Sequence, residues 1–272
     1  MRYFPMFCLS LCGLSVSCTR DSTSTTESPK MDIPSENEND SLQVPVPGKS
    51  AESPALTARR MAMVQMQLER RGLRDPLVLD AMRRVQRHQF VPLELTDQAY
   101  HDSPLPIGLG QTISQPYIVG LMTELVRPRP GMRALDVGTG CGYQAAILAE
   151  IVGQVYSIEI VSELAAQARQ RLTQLGYQNV EVRHGDGYGG WSEQAPFDII
   201  VVAAAPAHIP RPLLDQLAKG GRMVIPVGLD NQDLKLIEKD SQGAIRESII
   251  TGVRFVPMTG QAKLAESDSD GK

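Results

Sequence analysis

An acid followed by glycines at alternate positions, Asp136 and then Gly138, Gly140 and Gly142, closes the stretch R-A-L-D-V-G-T-G-C-G-Y over residues 133–143. Glycine is needed where backbone takes φ > 0 or touches a ligand, so three of them around Thr139 imply main chain pressed against a bound group. A dinucleotide fingerprint reads G-x-G-x-x-G. Here the third glycine comes one residue early and an acid precedes the first, a spacing that suits a nucleoside-type cofactor; a tight strand-to-helix turn with no ligand is the alternative. Glu159 follows about 20 residues later, where an acidic side chain accepts hydrogen bonds from ribose hydroxyls. Asp186, beside Gly187 in H-G-D-G, falls where an adenine amino group could be read; a turn aspartate bonding its own backbone is the competing reading. Ser114, near the end of A-Y-H-D-S-P-L-P-I-G-L-G-Q-T-I-S-Q-P (99–116), reads on residue type alone as the N-cap of a helix starting near Gln115.

These residues need a scaffold that brings strand ends together, and the chain supplies the pattern for one. Apolar or strand-forming runs at 133–137, 155–159, 180–183 and 197–205 alternate with helical stretches at 144–152 and 162–175; a helix at 211–218 and a strand at 222–227 follow. Runs at 234–238 and 245–256 have no helix between them, which predicts an antiparallel addition at the sheet edge. The fold class is α/β, a doubly wound, mostly parallel sheet of seven strands. Asp136, Glu159 and Asp186 then follow three successive strands at one edge, where such sheets bind ligands. Ahead of the sheet, Met63, Met66, Leu68 and Leu73 form a stripe of helical period ending at Gly72, and Pro76 opens a second helix carrying Val78, Leu79, Met82 and Val85. Residues 99–116 are expected to be a long ordered loop, with Pro116 in the first turn of a helix over 117–126.

The 272 residues suffice for one α/β domain plus tails. A net charge of -4 provides no broad basic footprint for nucleic acid. Cys141 stands alone in the body, the histidines His88, His101, His184 and His208 are scattered, and no G-x-S-x-G elbow occurs, so neither metal nor serine-hydrolase chemistry is expected. Residues 1–17 carry Arg2 and a short apolar run before Cys18, a pattern that resembles an export signal with a lipoprotein cleavage box; translation from Met31, Met61 or Met63 is the alternative. The run is too short to span a bilayer. Residues 19–55 are rich in Ser, Thr, Pro, Glu and Asp and are expected to be a disordered leader, as is the tail over 262–272, leaving 56–261 as the folded domain.

L-P-I-G-L-G-Q-T-I-S-Q-P, L-D-V-G-T-G-C-G-Y, R-H-G-D-G, F-D-I-I-V-V-A-A-A-P, I-P-V-G and V-R-F-V-P-M together resemble the protein-L-isoaspartate O-methyltransferases, a family of class I S-adenosylmethionine-dependent enzymes, over residues 56–261. The first motif is far more specific than the glycine loop. The resemblance implies a Rossmann-like fold and methyl transfer from S-adenosyl-L-methionine to the free α-carboxylate of L-isoaspartyl residues in damaged proteins or peptides, with no metal. It implies that Gln111, Thr112 and Ile113 close over the cofactor, that Asp136, Gly138, Thr139, Gly140, Gly142, Glu159, Asp186 and Gly187 hold it, and that Ser114 orients the acceptor carboxylate while Val256 and Pro257 line the acceptor channel as backbone. Cys141 departs from the family's common Ser. A cytoplasmic monomer is expected, with export or lipid anchoring at Cys18 as the alternative location. Two other classes stay open: a methyltransferase for a small molecule or nucleic acid, against which Ala204-Ala205-Pro206-Ala207 offers no side-chain acceptor for an amine, and a catalytically silent binding protein.

Overall fold

The computed structural model describes residues 52–262; the segment of the expected leader before Glu52, with Cys18, and the tail beyond Ala262 lie outside the described residues. Helix α1 (Pro54–Met63) starts two residues ahead of the expected boundary at Leu56, because Ser53 caps it, its hydroxyl accepting from Leu56 N–H at 3.3 Å. A wide π turn over Val64–Leu68 and a 3₁₀ turn over Glu69–Arg71 follow, closed by Gly72 at φ 102°. The π turn shifts the helical phase: Met63, Val64 and Leu68 are buried, and Met66, expected in the apolar stripe, faces solvent. Helix α2 (Pro76–Arg84), capped by Asp75, buries Val78, Leu79 and Met82 as their spacing predicts.

Residues 99–116 are more than a loop. They hold a hairpin, β1 (Leu105–Gly108) against β2 (Gln111–Ile113), antiparallel, with Leu105 opposite Ile113. Gly108, Leu109 and Gly110 all have positive φ, which turns the chain back in the space of three residues. Helix α3 (Pro116–Leu125) follows at once.

The main sheet comprises β3 (Arg133–Val137), β4 (Gln154–Glu159), β5 (Val180–His184), β6 (Phe197–Val202), β7 (Leu217–Val227), β8 (Gln232–Lys239) and β9 (Ile245–Val253), in the order β5-β4-β3-β6-β7-β8-β9. The first five are mutually parallel, and β8 and β9 add antiparallel at the edge as expected. Helices α4 (Tyr143–Ala149), α5 (Ser162–Gln174) and α6 (Arg211–Gln216) complete the crossovers. Strand alternation sends Ala134, Val155, Ile199 and Val201 into one core, shared with the N-terminal helices, α4 and α5, and Leu135, Val137, Ile158, Ile200 and Val202 into another, shared with Leu213 of α6. Several bounds differ from the sequence reading: β7 begins at Leu217 instead of 222, α4 ends at Ala149 instead of 152, and β9 ends at Val253 instead of 256. β6 stops at Val202, and the helix expected to run to residue 218 ends at Gln216 because Leu217 is already extended and pairs with Phe197.

Candidate active site

The chain enters β3, leaves at its carboxyl end, and has β4 on one side and β6 on the other, so a crevice opens where the strand order reverses. A cavity open to solvent occupies that crevice. Gln111, Thr112, Ile113 and Ser114 from β2 and its end, Gly138, Thr139 and Gly140 from the turn after β3, Glu159 ending β4, Asp186 and Gly187 after β5, and Val256 and Pro257 after β9 all line it. Residues nearly 150 positions apart in sequence thus share one wall-to-wall space.

The glycine turn is held by the end of β4. Gly138 and Thr139 N–H donate to Ile158 C=O at 2.8 and 3.2 Å, and Gly140 N–H donates to Glu159 Oε2 at 2.7 Å. Glu159 Oε1 accepts from Val161 N–H at 3.0 Å. Each carboxylate oxygen therefore keeps acceptor capacity for a ligand hydroxyl. Gly140, at φ 53°, lies so close to the hairpin that a Cβ there would stand 3.2 Å from Ile107 Cδ1. Asp186 makes the backbone bond of a turn aspartate, Oδ1 accepting from Tyr188 N–H at 2.9 Å, while Oδ2 accepts from Gln261 N–H at 2.7 Å, and the residue also lines the cavity.

Two residues of the expected cofactor set stand outside the lining. Asp136 is fully buried one residue before the strand end, opposite Ser157 of β4, whose hydroxyl donates to Asp136 Oδ2 at 2.7 Å and lies 2.6 Å from Thr139 Oγ1. It braces the turn from beneath. Burial, with the Glu159 charge assisting against the Ser157 bond, pushes the Asp136 carboxyl up to about 7, and its Oδ1 has no hydrogen-bond partner among the described residues. Gly142 faces α5 instead, since a Cβ there would meet Leu172 at 3.2 Å and Ala168 at 3.6 Å.

On the other wall, Ser114 does not cap α3. The N-cap is Gln115, which makes no side-chain cap bond. Val256 and Pro257 are fixed by main chain, as Ala205 N–H donates to Val256 C=O at 2.9 Å and Met258 N–H to Ala205 C=O at 2.7 Å. Val119, Met122, Tyr143, Gln144, Ala203 and Thr259 also line the cavity and were not singled out in the sequence, where the apolar members read as ordinary core. Cys141 lines it too; burial pushes its thiol up and keeps it neutral. Among the described lining residues the only charged side chains are Glu159 and Asp186, so the cavity favours a cationic ligand.

These residues fit S-adenosylmethionine. A strand-end carboxylate with spare lone pairs suits ribose hydroxyls, a glycine turn without Cβ lets the ligand approach main chain, and an acidic lining suits a sulfonium and an ammonium. The fold is that of a class I S-adenosylmethionine-dependent methyltransferase. The family model for protein-L-isoaspartate(D-aspartate) O-methyltransferase (PCMT) matches residues 58–263, and the chain belongs to that family. It is 56% identical over 205 residues to the protein-L-isoaspartate O-methyltransferase of Picosynechococcus sp., covering 75% of this chain and 92% of that one. To protein-L-isoaspartate O-methyltransferase 2 of Syntrophobacter fumaroxidans it is 60% identical over 188 residues, or 68% and 76% of the two chains. A solved "beta-aspartate methyltransferase (PCMT) from Plasmodium falciparum in complex with S-adenosyl-L-homocysteine" superposes with a TM-score of 0.64 at 27% identity, over 74% of this chain and 98% of that one.

Proposed function

We infer that this chain methylates the free α-carboxylate of L-isoaspartyl residues in damaged proteins and peptides, taking the methyl group from S-adenosyl-L-methionine. The observation that carries this reading is one cavity joining the glycine turn and Glu159 to the Ser114 hairpin, with no histidine or basic side chain among its described lining residues. When bound, S-adenosylmethionine supplies a methyl group already activated by its sulfonium. The acceptor carboxylate is already an anion, so the protein needs no general base and its task is alignment, which can contribute about 7–11 kcal/mol. Glu159 accepts from the ribose hydroxyls, Asp186 and Gly187 meet the adenine, and Gly138, Thr139 and Gly140 present main chain to the rest of the cofactor. Asp136 and Gly142 act one layer back, bracing the turn. Gln111, Thr112 and Ile113 cover the cofactor; Ser114 donates its hydroxyl to the carboxylate, and Val256 and Pro257 wall the channel as backbone. A neutral donor holds the anion in place without quenching its nucleophilicity as an ion pair would.

The partners are proteins or peptides bearing L-isoaspartyl residues. Among the described residues no helix is long and apolar enough to cross a membrane. We place the enzyme in the cytoplasm as a monomer, where its co-substrate is made, and without a nucleic-acid partner given the net charge of -4. Labelled S-adenosylmethionine offered with paired isoaspartyl and aspartyl peptides tests the function: a base-labile methyl ester on the isoaspartyl peptide alone is expected, and equal labelling or none overturns it.

A further inference from the structure

The hairpin that carries Ser114 is closed at its neck by one side chain. Asp102, three residues before β1, reaches across to the start of α3, just beyond the far strand: its Oδ2 accepts from Gln115 Nε2 at 2.7 Å, and its Oδ1 accepts from Tyr117 N–H at 3.2 Å. Tyr117 N–H is one of the amides that the start of α3 leaves without an intrahelical partner, and the N-cap Gln115 provides it none. The cap comes instead from a residue 15 positions upstream. Arg71 supports the carboxylate from the third side, its NH1 donating to Asp102 Oδ2 at 2.7 Å while its guanidinium lies 3.3 Å from the Tyr117 ring centroid. One ion therefore joins the turn after α1, the near flank of the hairpin and the first turn of α3.

The near flank is itself clamped. Arg87, fully buried, donates through Nε to Ala99 C=O at 2.8 Å, and Gln67 Nε2 donates to Tyr100 C=O at 2.8 Å, so Asp102 leaves a fixed stretch of main chain. Ser114 lies between the Leu105–Ile113 strand pair on one side and the two Asp102 bonds on the other. We propose that Asp102 is a positioning residue for the methyl acceptor, a buckle that holds Ser114 at its place in the cavity wall. It touches neither the cofactor nor the cavity, so its action runs through the hairpin. The proposal rests on the reading of Ser114 as the group that orients the acceptor.

Asp102→Ala, Asp102→Asn, Ser114→Ala and the Asp102→Ala/Ser114→Ala double variant of the full chain, assayed with an isoaspartyl hexapeptide and S-adenosylmethionine, test it. Asp102→Ala should lower kcat/KM for the peptide at least tenfold while calorimetric S-adenosylmethionine affinity stays within twofold. Asp102→Asn keeps an acceptor for Tyr117 N–H but turns an amide donor toward Gln115 Nε2 and Arg71, so it should fold and still lose at least threefold in kcat/KM at unchanged cofactor affinity; wild-type kcat/KM in this variant overturns the buckle even if the alanine variant does not fold. The double variant should be no worse than Ser114→Ala. Wild-type kcat/KM in Asp102→Ala with an impaired Ser114→Ala overturns the buckle alone, as do additive losses in the double variant or a parallel fall in cofactor affinity. Wild-type turnover in Ser114→Ala overturns the reading of Ser114 and the buckle with it.

Discussion

On the cofactor wall of the cavity, both oxygens of Glu159 hold backbone amides, and Asp136, Ser157 and Thr139 form a buried chain beneath the turn. On the acceptor wall, Ser114 sits on a hairpin of seven strand residues tied down through Asp102, and Val256 and Pro257 are held by two main-chain bonds to Ala205. Apart from the proposed cover of Gln111, Thr112 and Ile113 on the hairpin, the first wall is made from neighbours in sheet register; the second is assembled from three segments far apart in sequence. A co-substrate of fixed shape can be met by a wall that is rigid and local. With Ser114, Val256 and Pro257 as the proposed acceptor wall, an acceptor that arrives on damaged chains of any sequence would be met mainly by backbone and one small hydroxyl, which would leave the flanking residues unread. This contrast is testable by asking which variants disturb one wall and spare the other.

The largest expected effect lies under the cofactor wall. The Asp136 carboxyl, ordinarily at 3.8, is raised to about 7, chiefly by burial. The folded state thus holds its proton to higher pH than the unfolded chain, so this contribution to stability is complete below about 3.8 and is lost as pH rises through about 7. At about 1.4 kcal/mol per pKa unit the loss is on the order of 4 kcal/mol at most. Asp136→Asn removes the titration. Urea midpoints taken from pH 4 to 8 should show wild type losing stability relative to the Asn variant across that window and running parallel above it; parallel curves throughout would show that Asp136 is ionised in the fold at low pH.

Next comes Gly140→Val. At φ 53° a side chain costs about 1–2 kcal/mol of backbone strain, and this one would also press on Ile107 Cδ1. In folded variant protein, calorimetric affinity for S-adenosylmethionine should fall by at least tenfold, roughly 1.4 kcal/mol. Unchanged affinity would remove the turn from the cofactor wall.

The glycine turn was legible because everything it needs is local: an apolar strand, an acid, and glycines at fixed offsets. Not every residue of the motif faces the cavity. Asp136 stands one residue inside the strand, so its side chain meets Ser157 across the sheet instead of the space beyond the strand end, and Gly142 is small because α5 packs on it. The hairpin was hidden because Pro106 and the G-L-G turn interrupt an alternation only a few residues long. Met66 faces solvent against its helical spacing because a π turn, which has no sequence signature comparable to a cap, shifts the phase. Asp102 could not be found from spacing at all: a carboxylate that caps a helix 15 residues later is a tertiary fact. Val119 and Met122 have the apolar periodicity of any core helix, and only the hairpin's placement opens a cavity beside them.

On the acceptor wall the effect should be smaller and selective. Because Gln115 is the N-cap of α3, Ser114→Ala should leave the thermal midpoint almost unchanged, which separates a catalytic role from a capping one more cleanly than residue type allows. Peptide kcat should fall about tenfold, corresponding to roughly 1.4 kcal/mol of transition-state stabilisation, with S-adenosylmethionine affinity unaltered. Ser114→Thr keeps the hydroxyl and should retain part of the activity. A folded Ser114→Ala enzyme with wild-type kcat would leave the acceptor wall without a side chain that orients the carboxylate.

The smallest effect is expected from shortening the N-terminus, provided the cut respects Glu52. That side chain is buried and ion-paired with Arg60, accepts from Thr57 Oγ1 at 2.7 Å, and takes a longer bond of 3.3 Å from Tyr100 Oη. Tyr100 begins the approach to the hairpin, so Glu52 belongs to the support of the acceptor wall. A chain lacking residues 1–50 should match the full chain in thermal midpoint and in both kinetic constants for the peptide. A chain lacking residues 1–55 loses the Ser53 cap, about 0.5–2 kcal/mol, and leaves buried Arg60 without its carboxylate. Its midpoint should drop, and the peptide KM should rise before cofactor affinity falls, because Tyr100 leads to Ser114 and not to the glycine turn. Identical behaviour of the two truncations would move the domain boundary back to residue 56, and a fall in cofactor affinity alone would contradict the separation of the two walls.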